Sequence, residues 1–148
     1  MTRPILAASL ALMGTTAAAD LIEKTSPHSV ADTIDRLEAA VEAAGATVFA
    51  RVDHAAGAAS VDMDLRPTQM LMFGNPKLGT PAMLDGQTAG LDLPLRVVAY
   101  ADAEGVVHVA YHDPADLAAT HGLAADAKYI TMMTGALDKL TSKAVAAE

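Results

Sequence analysis

The sequence predicts a single α+β domain in which a mostly antiparallel sheet packs against helices. Three observations favour this class. The 148 residues provide one hydrophobic core rather than two. Segments with apolar residues at every second position lie between segments with helical spacing. A tight turn joins two neighbouring strand segments near residue 103. Hydrophobic residues make up 52% of the chain and charged residues 19%, which excludes disorder throughout.

The first 19 residues predict a cleaved signal peptide. Arg3 precedes an apolar run over residues 5–13, and the small residues 17–19 are typical of a cleavage site. The apolar run is too short to span a bilayer, which takes about 20 apolar residues. We therefore expect cleavage near Ala19 and one mature domain over residues 20–148. The sequence predicts a protein of the periplasm, or a secreted one, with no membrane span.

The first part of the mature chain predicts a short edge strand followed by a helix. Residues 21–25 form the strand segment, and Ser29 is a suitable residue to cap the helix. Apolar residues then recur at spacings of four, three and four, which places them on one helix face: Val30, Ile34, Leu37 and Val41. Gly45 is a natural helix end.

Two strands are predicted in the middle of the chain. Residues 46–53 alternate, which predicts Val48, Ala50 and Val52 on one side and the remaining side chains on the other. Residues 70–73 are apolar on both faces. This is typical of a central strand that is covered on both sides or enclosed in a homodimer.

The second half predicts a hairpin and two helices. Strands over residues 96–100 and 106–111 flank a turn that ends at Gly105. Asp113 as N-cap, with proline as the next residue, begins a helix that ends near Gly122. A last helix covers about residues 128–146, with an apolar stripe formed by Ile130, Met133, Leu137 and Leu140.

Composition excludes several functional classes. The net charge is −8, so the chain lacks the basic surface that nucleic-acid binding requires. Cysteine is absent, which excludes disulfides, thiolate catalysis and iron–sulfur clusters. The chain has no dinucleotide-binding glycine motif, no Walker loop, no nucleophile elbow and no H-E-x-x-H. The sequence therefore assigns no catalytic residue, no metal ligand and no cofactor.

The segment 74–80 is the first candidate ligand-binding site. Gly74 can adopt a positive φ, and the proline after Asn75 holds that residue extended, so the backbone has a defined shape. Such a loop can direct its amide groups, the Asn75 side chain, Lys77 and the Thr80 hydroxyl toward a small polar molecule or an anion. The alternative is a strand-ending turn whose rigidity serves only the fold.

Histidines beside aspartates form the second group of candidates. His54 follows Asp53 at a strand end, and His112 precedes Asp113 where a strand enters a helix. We include His54, His112 and Asp113 among the candidate ligand-binding residues. An enzyme with one of these histidines as general base is an alternative. Metal or haem binding through histidine and methionine is a second one, although surface, capping and core roles also explain these residues.

Several short motifs follow one another in a recognisable order: Ala50-Arg51-Val52-Asp53-His54, Leu65-Arg66-Pro67-Thr68-Gln69, Phe73-Gly74-Asn75-Pro76-Lys77, Leu91-Asp92-Leu93-Pro94-Leu95 and Tyr111-His112-Asp113-Pro114. Together they resemble the domain-of-unknown-function 302 family of small bacterial proteins, from about Ser29 to Leu140. The resemblance implies one compact α+β domain and carries no established reaction. We expect a small-ligand-binding or accessory module of the cell envelope.

Overall fold

The computed structural model describes residues 21–147, which contain a five-stranded antiparallel sheet of strand order β1-β5-β4-β3-β2. The strands are β1 (Leu21–Ser26), β2 (Thr47–Asp53), β3 (Thr68–Gly74), β4 (Leu95–Ala101) and β5 (Val107–His112). Strand β1 lies at one edge of the sheet, as the sequence predicts. The predicted signal peptide over residues 1–19 lies outside the described residues.

Five α-helices accompany the sheet in the part of the chain that the structure describes. They are α1 (Val30–Ala43), α2 (His54–Ala59), α3 (Pro76–Asp85), α4 (Pro114–His121) and α5 (Lys128–Ala144), with a short 3₁₀ helix at Gln87–Leu91. The predicted α+β class, with an antiparallel sheet packed against helices, is confirmed. Within residues 21–147 no helix combines the length and the hydropathy needed to cross a membrane.

Helix α1 begins and ends where its local sequence predicts. The Ser29 hydroxyl accepts a hydrogen bond from the Asp32 amide at 3.1 Å, which satisfies one of the free amides of the first turn. Gly45 has a φ of +72°, a conformation that glycine adopts without steric cost. The four apolar residues at helical spacing are buried: Val30, Ile34, Leu37 and Val41.

The main core lies between one face of the sheet and the helix pair α1 and α5. Leu71 and Val97 are fully buried and pair across β3 and β4, so their side chains share this face. Leu137 and Leu140 of α5 are also buried in this core. A smaller core cluster joins α4, α5 and the residues around the 3₁₀ helix, and Leu95 packs against both clusters.

A β-bulge at Phe49 changes the predicted side-chain alternation of β2. Val48 pairs with Phe73, whereas Ala50 pairs with the adjacent Met72, so Val48 and Ala50 face opposite sides of the sheet. The predicted common face for Val48, Ala50 and Val52 is therefore wrong. The extra residue is Phe49, which is 55% exposed.

The bulge also places Arg51 on the face that the helices cover. Arg51 pairs with Leu71 across the strands, and its guanidinium forms ion pairs with Asp35 and Glu38 of α1. It also donates to the Gln69 side-chain oxygen at 2.8 Å. The positive charge of Arg51 at this edge of the core is therefore balanced by two carboxylates, and its N–H groups have hydrogen-bond acceptors.

Gly86 and Gly135 provide a matched test of the packing. A Cβ at Gly86 would lie 2.7 Å from Leu123 Cδ2 and 3.0 Å from the His121 carbonyl oxygen, whereas a Cβ at Gly135 in α5 meets nothing within 4 Å. We expect Gly86→Ala to lower the free energy of unfolding by about 1–3 kcal/mol through overpacking. Gly135→Ala is expected to raise it by about 0.5–1 kcal/mol through helix propensity. Urea unfolding of both variants checks these signs, and a neutral Gly86→Ala would contradict the packing described.

Candidate functional site

A cavity of about 310 Å³ opens at the end of the sheet where β3 stops and β4 begins. We call it the end cavity. Its walls are Phe49, Gly74, Asn75, Pro76, Leu78, Gly79, Thr80, Met83, Leu93, Pro94, Leu95 and Met133. Its volume lies at the lower end of the range of about 300–1,000 Å³ that is typical of small-molecule sites. Of the seven residues predicted as ligand-binding, Gly74, Asn75 and Thr80 lie in this wall.

The Asn75–Pro76 step forms the start of a helix and not a free loop. The Asn75 side-chain oxygen accepts a hydrogen bond from the Lys77 amide at 2.9 Å, and Pro76 occupies the first turn of α3. The Asn75 carbonyl accepts from the Gly79 amide at 3.0 Å. The sequence predicts that these amides face a small polar molecule or an anion. In the structure they form hydrogen bonds within the first turn of the helix instead.

Two further details of this segment differ from the prediction. Gly74 does not belong to the glycines with positive φ, and it serves instead as the last residue of β3. Lys77 is exposed and does not line the cavity. A helix begins at Pro76, where the sequence analysis predicts a loop, because the Asn75 side chain caps the helix and a proline is favourable in its first turn.

The wall of the end cavity is mostly apolar. Leucine, proline, methionine and phenylalanine side chains supply most of it, and Phe49 reaches it from the bulge of β2. Bulges are found beside binding sites because they redirect a side chain. The Asn75 side-chain oxygen is occupied by its cap, so the polar side-chain groups that the wall offers are the Asn75 NH2 group and the Thr80 hydroxyl.

His54 lies far from the end cavity. Across β2 and β3, Thr47 is opposite Gly74, whereas Asp53 is opposite Gln69, so His54 follows the other end of the strand. At about 3.4 Å per residue, this separates Gln69 from Gly74 by roughly 17 Å. The predicted association of His54 with the segment 74–80 is therefore wrong, because a contact between neighbouring antiparallel strands depends on their register.

His112 and Asp113 line a different cavity of about 170 Å³, which we call the side cavity. Its other walls are Asp92, Leu95, Arg96, Pro114, Asp116, Leu117, Thr120 and Leu137. It lies between the start of β4, the end of β5, α4 and α5. Leu95 contributes to both cavities, so the two are neighbours. The predicted candidates are therefore divided among two adjacent cavities, a distant strand end that carries His54, and the exposed surface of α3 that carries Lys77.

The predicted His–Asp pairs have other roles. The Asp53 carboxylate accepts from the Ala56 amide, and the Asp113 carboxylate accepts from the Ala115 amide, both at 2.9 Å. Each aspartate is thus the N-cap of the helix that follows it. The aspartates do not orient the neighbouring histidines, which removes the geometric support for a general base at either position.

A different histidine is paired with a carboxylate beside the side cavity. His121 Nε2 lies 2.7 Å from Asp92 Oδ2, and Nδ1 lies 2.9 Å from the Thr88 hydroxyl. A carboxylate only accepts, so Nε2 donates to it. The His121 side chain is 4% exposed, so the network joins α4 to the 3₁₀ helix rather than presenting an imidazole to a substrate.

This network was not predictable from local patterns. Asp92 and His121 are 29 residues apart. In the sequence no histidine adjoins Asp92, and no aspartate adjoins His121. Asp92 also accepts from Arg96 at 2.8 Å, which couples the network to β4. Among residues 21–147, no three His, Asp or Glu side chains are grouped so that they could hold a metal ion.

An antiparallel sheet covered on one face by helices, with an apolar cavity at its end, defines a small α+β domain. The chain belongs to the family described as domain of unknown function DUF302, whose model matches residues 22–140. The resemblance noted from the sequence motifs is thereby confirmed. A crystal structure of an uncharacterized conserved DUF302 protein from Bacillus stearothermophilus has the same fold, with a TM-score of 0.77. The identity is 18%, and the match covers 86% of this chain and 99% of that one.

Curated relatives are also similar to this chain. Fluoride-specific ion channel FluC 1 of Brucella suis is 46% identical over 117 residues, which cover 78% of this chain and 46% of the relative. FluC 1 of Brucella abortus has the same identity over the same length, and the match covers 43% of that relative. The chain therefore spans less than half the length of these curated relatives.

The stability of the protein at acidic pH tests how much the hydrogen-bond network of Asp92 contributes to the free energy of unfolding. The hydrogen bond from His121 is the largest cause that lowers the pKa of the Asp92 carboxyl below its ordinary value of 3.8. A lowered folded-state pKa stabilises the fold above the ordinary pKa, and this stabilisation is lost as the pH falls through the lowered value. The effect is small because the Asp92 side chain is 43% exposed.

We expect Asp92→Asn to lower the free energy of unfolding at neutral pH and to weaken its fall between about pH 5 and pH 2. Urea unfolding across this range measures both quantities. Asp64→Asn, an exposed loop change of the same charge, is the control. If the free energy of unfolding falls equally between about pH 5 and pH 2 in Asp92→Asn and in the unsubstituted protein, the stabilising role of Asp92 is contradicted.

Proposed function

We propose that this protein binds a small molecule with an apolar body in the end cavity. The observation that supports this most directly is the shape and chemistry of the cavity, about 310 Å³ enclosed mainly by leucine, proline, methionine and phenylalanine side chains. Apolar side chains that face such an opening make fewer dispersion contacts than side chains in the close-packed core. An apolar occupant supplies the missing contacts and removes its own surface from water.

The expected affinity follows from the area that such an occupant buries. Each buried methylene contributes about 0.8 kcal/mol, so a chain of six to eight carbons gains roughly 5–6 kcal/mol before the cost of association. Without that cost, the gain would correspond to a dissociation constant of about 40–200 μM, so with the cost included we expect binding in the millimolar range. The end cavity therefore favours an aliphatic or aromatic body over the small polar molecule or anion predicted from the sequence.

Filling the cavity tests the proposal. Gly79 lines it, and a Cβ there would make ordinary contacts with Leu93 Cδ1 at 3.8 Å and Met83 Cε at 4.0 Å. Gly79→Leu is thus expected to occupy the space without disrupting α3. We expect 1-octanol to bind the unsubstituted protein and to bind Gly79→Leu at least about tenfold more weakly, as measured by isothermal titration calorimetry.

Gly135→Leu is the matched control, because it makes the same change on an exposed helical surface outside the end cavity. It is expected to bind 1-octanol as the unsubstituted protein does. Equal binding by Gly79→Leu, or no binding by the unsubstituted protein, would contradict the proposal. Urea unfolding of both variants establishes that they are folded.

An accessory role in the cell envelope is supported by a separate observation. The chain matches less than half of each curated relative, and these relatives are named fluoride-specific ion channels. We propose that the matched part is a module that accompanies ion conduction in those relatives. Fluoride itself is a poor occupant for apolar walls, because a small anion loses its hydration there. Sodium fluoride is therefore a negative control in the titration.

Export is the remaining part of the proposed function. Its support is the positive start at Arg3, the apolar run over residues 5–13 and the small residues before Asp20. When the full chain is expressed with a C-terminal tag in a Gram-negative host, we expect the periplasmic fraction to contain a protein that begins at Asp20. Intact-mass spectrometry measures this. Recovery of the uncleaved chain in the cytosol would contradict it.

A further inference from the structure

The wall of the end cavity contains no ionisable side chain. Its residues are apolar or glycine, apart from Asn75 and Thr80. A charged group that entered this space would lose hydration and would meet no opposite charge. Lys77, which lies between these two residues in the sequence, is exposed and does not line the cavity. The wall therefore favours an uncharged ligand, and its two polar residues decide which polar group that ligand carries.

The helix cap leaves the Asn75 side chain with a donor and no free acceptor position in the cap. The Lys77 backbone N–H donates to this side chain at 2.9 Å, so the atom that it meets is the amide oxygen. The NH2 group of the same side chain has no hydrogen-bond partner among residues 21–147. Because the cap holds the amide in one orientation, this donor is held in place as well.

The backbone amides at the start of α3 are not available to a ligand. Pro76 has no N–H, and the amides of Lys77, Leu78 and Gly79 all donate to Asn75. An anion at this helix start would therefore find no free amide, although the helix dipole favours negative charge there. The polar groups that α3 offers to the end cavity are thus side-chain groups.

Thr80 supplies the second polar group of the wall. Three other helical threonines donate their hydroxyl to the carbonyl four residues earlier: Thr33, Thr134 and Thr141. Thr80 makes no such bond to Pro76, and its hydroxyl has no hydrogen-bond partner in the described part of the chain. Because Thr80 lines the cavity and is exposed, it lies where the cavity meets solvent. Its hydroxyl can donate to a ligand or accept from one.

An uncharged carbonyl group matches these two residues. Its oxygen accepts hydrogen bonds and carries no proton that needs an acceptor of its own. The Asn75 NH2 group only donates, so it favours such an oxygen over an amine. An alcohol oxygen can also accept from Asn75, but the alcohol proton then needs an acceptor, and the Thr80 hydroxyl is the main one among the wall side chains.

We infer that the ligand of the end cavity is an uncharged molecule with a carbonyl group, such as a ketone or an ester, and that Asn75 selects it by donating to the carbonyl oxygen. This inference rests on the proposed function, because the apolar body must first occupy the end cavity. It adds the chemical class of the polar group and the residue that determines the specificity.

Asn75→Asp tests the inference without removing the helix cap. Aspartate caps as well as asparagine does, and Asp113 caps α4 before a proline in the same way. The exchange replaces the donor by a carboxylate oxygen, which only accepts. We expect the affinity for 2-octanone to fall about five- to tenfold. The affinity for 1-octanol should stay within about twofold, because the alcohol can donate its proton to the carboxylate. Titrations that follow the Met133 methyl NMR signal measure both affinities.

Gln87→Glu is the matched control for this exchange. It makes the same change from amide to carboxylate, with the same added charge, at an exposed residue outside both cavities. The ratio of the affinities for 2-octanone and 1-octanol should equal that of the unsubstituted protein. Urea unfolding establishes that each variant is folded.

The Thr80 hydroxyl provides a second test that does not involve the cap. Thr80→Val removes the hydroxyl and keeps the branched shape, so we expect it to weaken 2-octanone binding about two- to threefold. Thr80→Ser keeps a hydroxyl and should bind 2-octanone as the unsubstituted protein does. This pair keeps the inference testable if Asn75→Asp is unfolded.

Octanoate distinguishes an uncharged carbonyl from a charged acceptor. It has the same chain length as 2-octanone, but its carboxylate would enter a wall without an opposite charge. Near neutral pH we expect octanoate to bind the unsubstituted protein at least about tenfold more weakly than 2-octanone.

The outcomes separate the inference from the proposed function. If 1-octanol binds in a manner that depends on Gly79, but the ratio of affinities is the same in Asn75→Asp and Gln87→Glu, the inference is overturned and the proposed function remains. Octanoate binding as tight as that of 2-octanone, or equal binding by Thr80→Val and Thr80→Ser, overturns it as well. If neither 1-octanol nor 2-octanone binds in a manner that depends on Gly79, both fail.

Discussion

The burial of one sheet face beneath α1 and α5 is the constraint on which the rest of the structure depends. Leu71, Phe73 and Val97 form the sheet side of this layer, and the apolar stripe of α1 forms the opposite side. Because the chain has no disulfides, this layer supplies the main favourable term in the free energy of folding. Both cavities lie at one end of this layer, where β3 stops, β4 starts and β5 ends.

The end cavity exists because two backbone features redirect the chain at that end. The cap at Asn75 makes α3 begin immediately after β3, and the bulge turns Phe49 toward the space beside it. The chain at Leu93 and Pro94 then forms the opposite wall. The space is thus defined by backbone geometry, while apolar side chains determine its chemistry.

Much of the fold was predictable because its signals are local. The cap at Ser29, the helix end at Gly45 and the hairpin turn at Gly105 each depend on residues within one turn of the chain. The Asn75–Pro76 cap uses the same pattern as Asp113 and its following proline. The sequence predicts a loop there and not a helix start, because a glycine and a second proline follow the cap and lower the helix propensity.

The rest of the site depends on contacts between distant residues, which one sequence does not encode locally. The register of β2 on β3 separates His54 from Gly74, and the pairing of Asp92 with His121 joins segments 29 residues apart. The bulge at Phe49 is a non-local adjustment of one strand to its neighbour. The sequence predicts the segment 74–80 as a ligand-binding loop, whereas in the structure part of it lines the end cavity and its amide groups are used by the first turn of α3.

The most direct test of the central claim uses the methionine methyl groups as reporters. Met83 and Met133 line the end cavity, whereas Met63, Met70 and Met72 do not. In a methyl NMR spectrum of the protein labelled with ¹³C at methionine, 1-octanol should shift the Met83 and Met133 signals in a saturable way and leave the other three unchanged. Shifts confined to Met63, Met70 or Met72, or no saturable shift at all, would contradict the account.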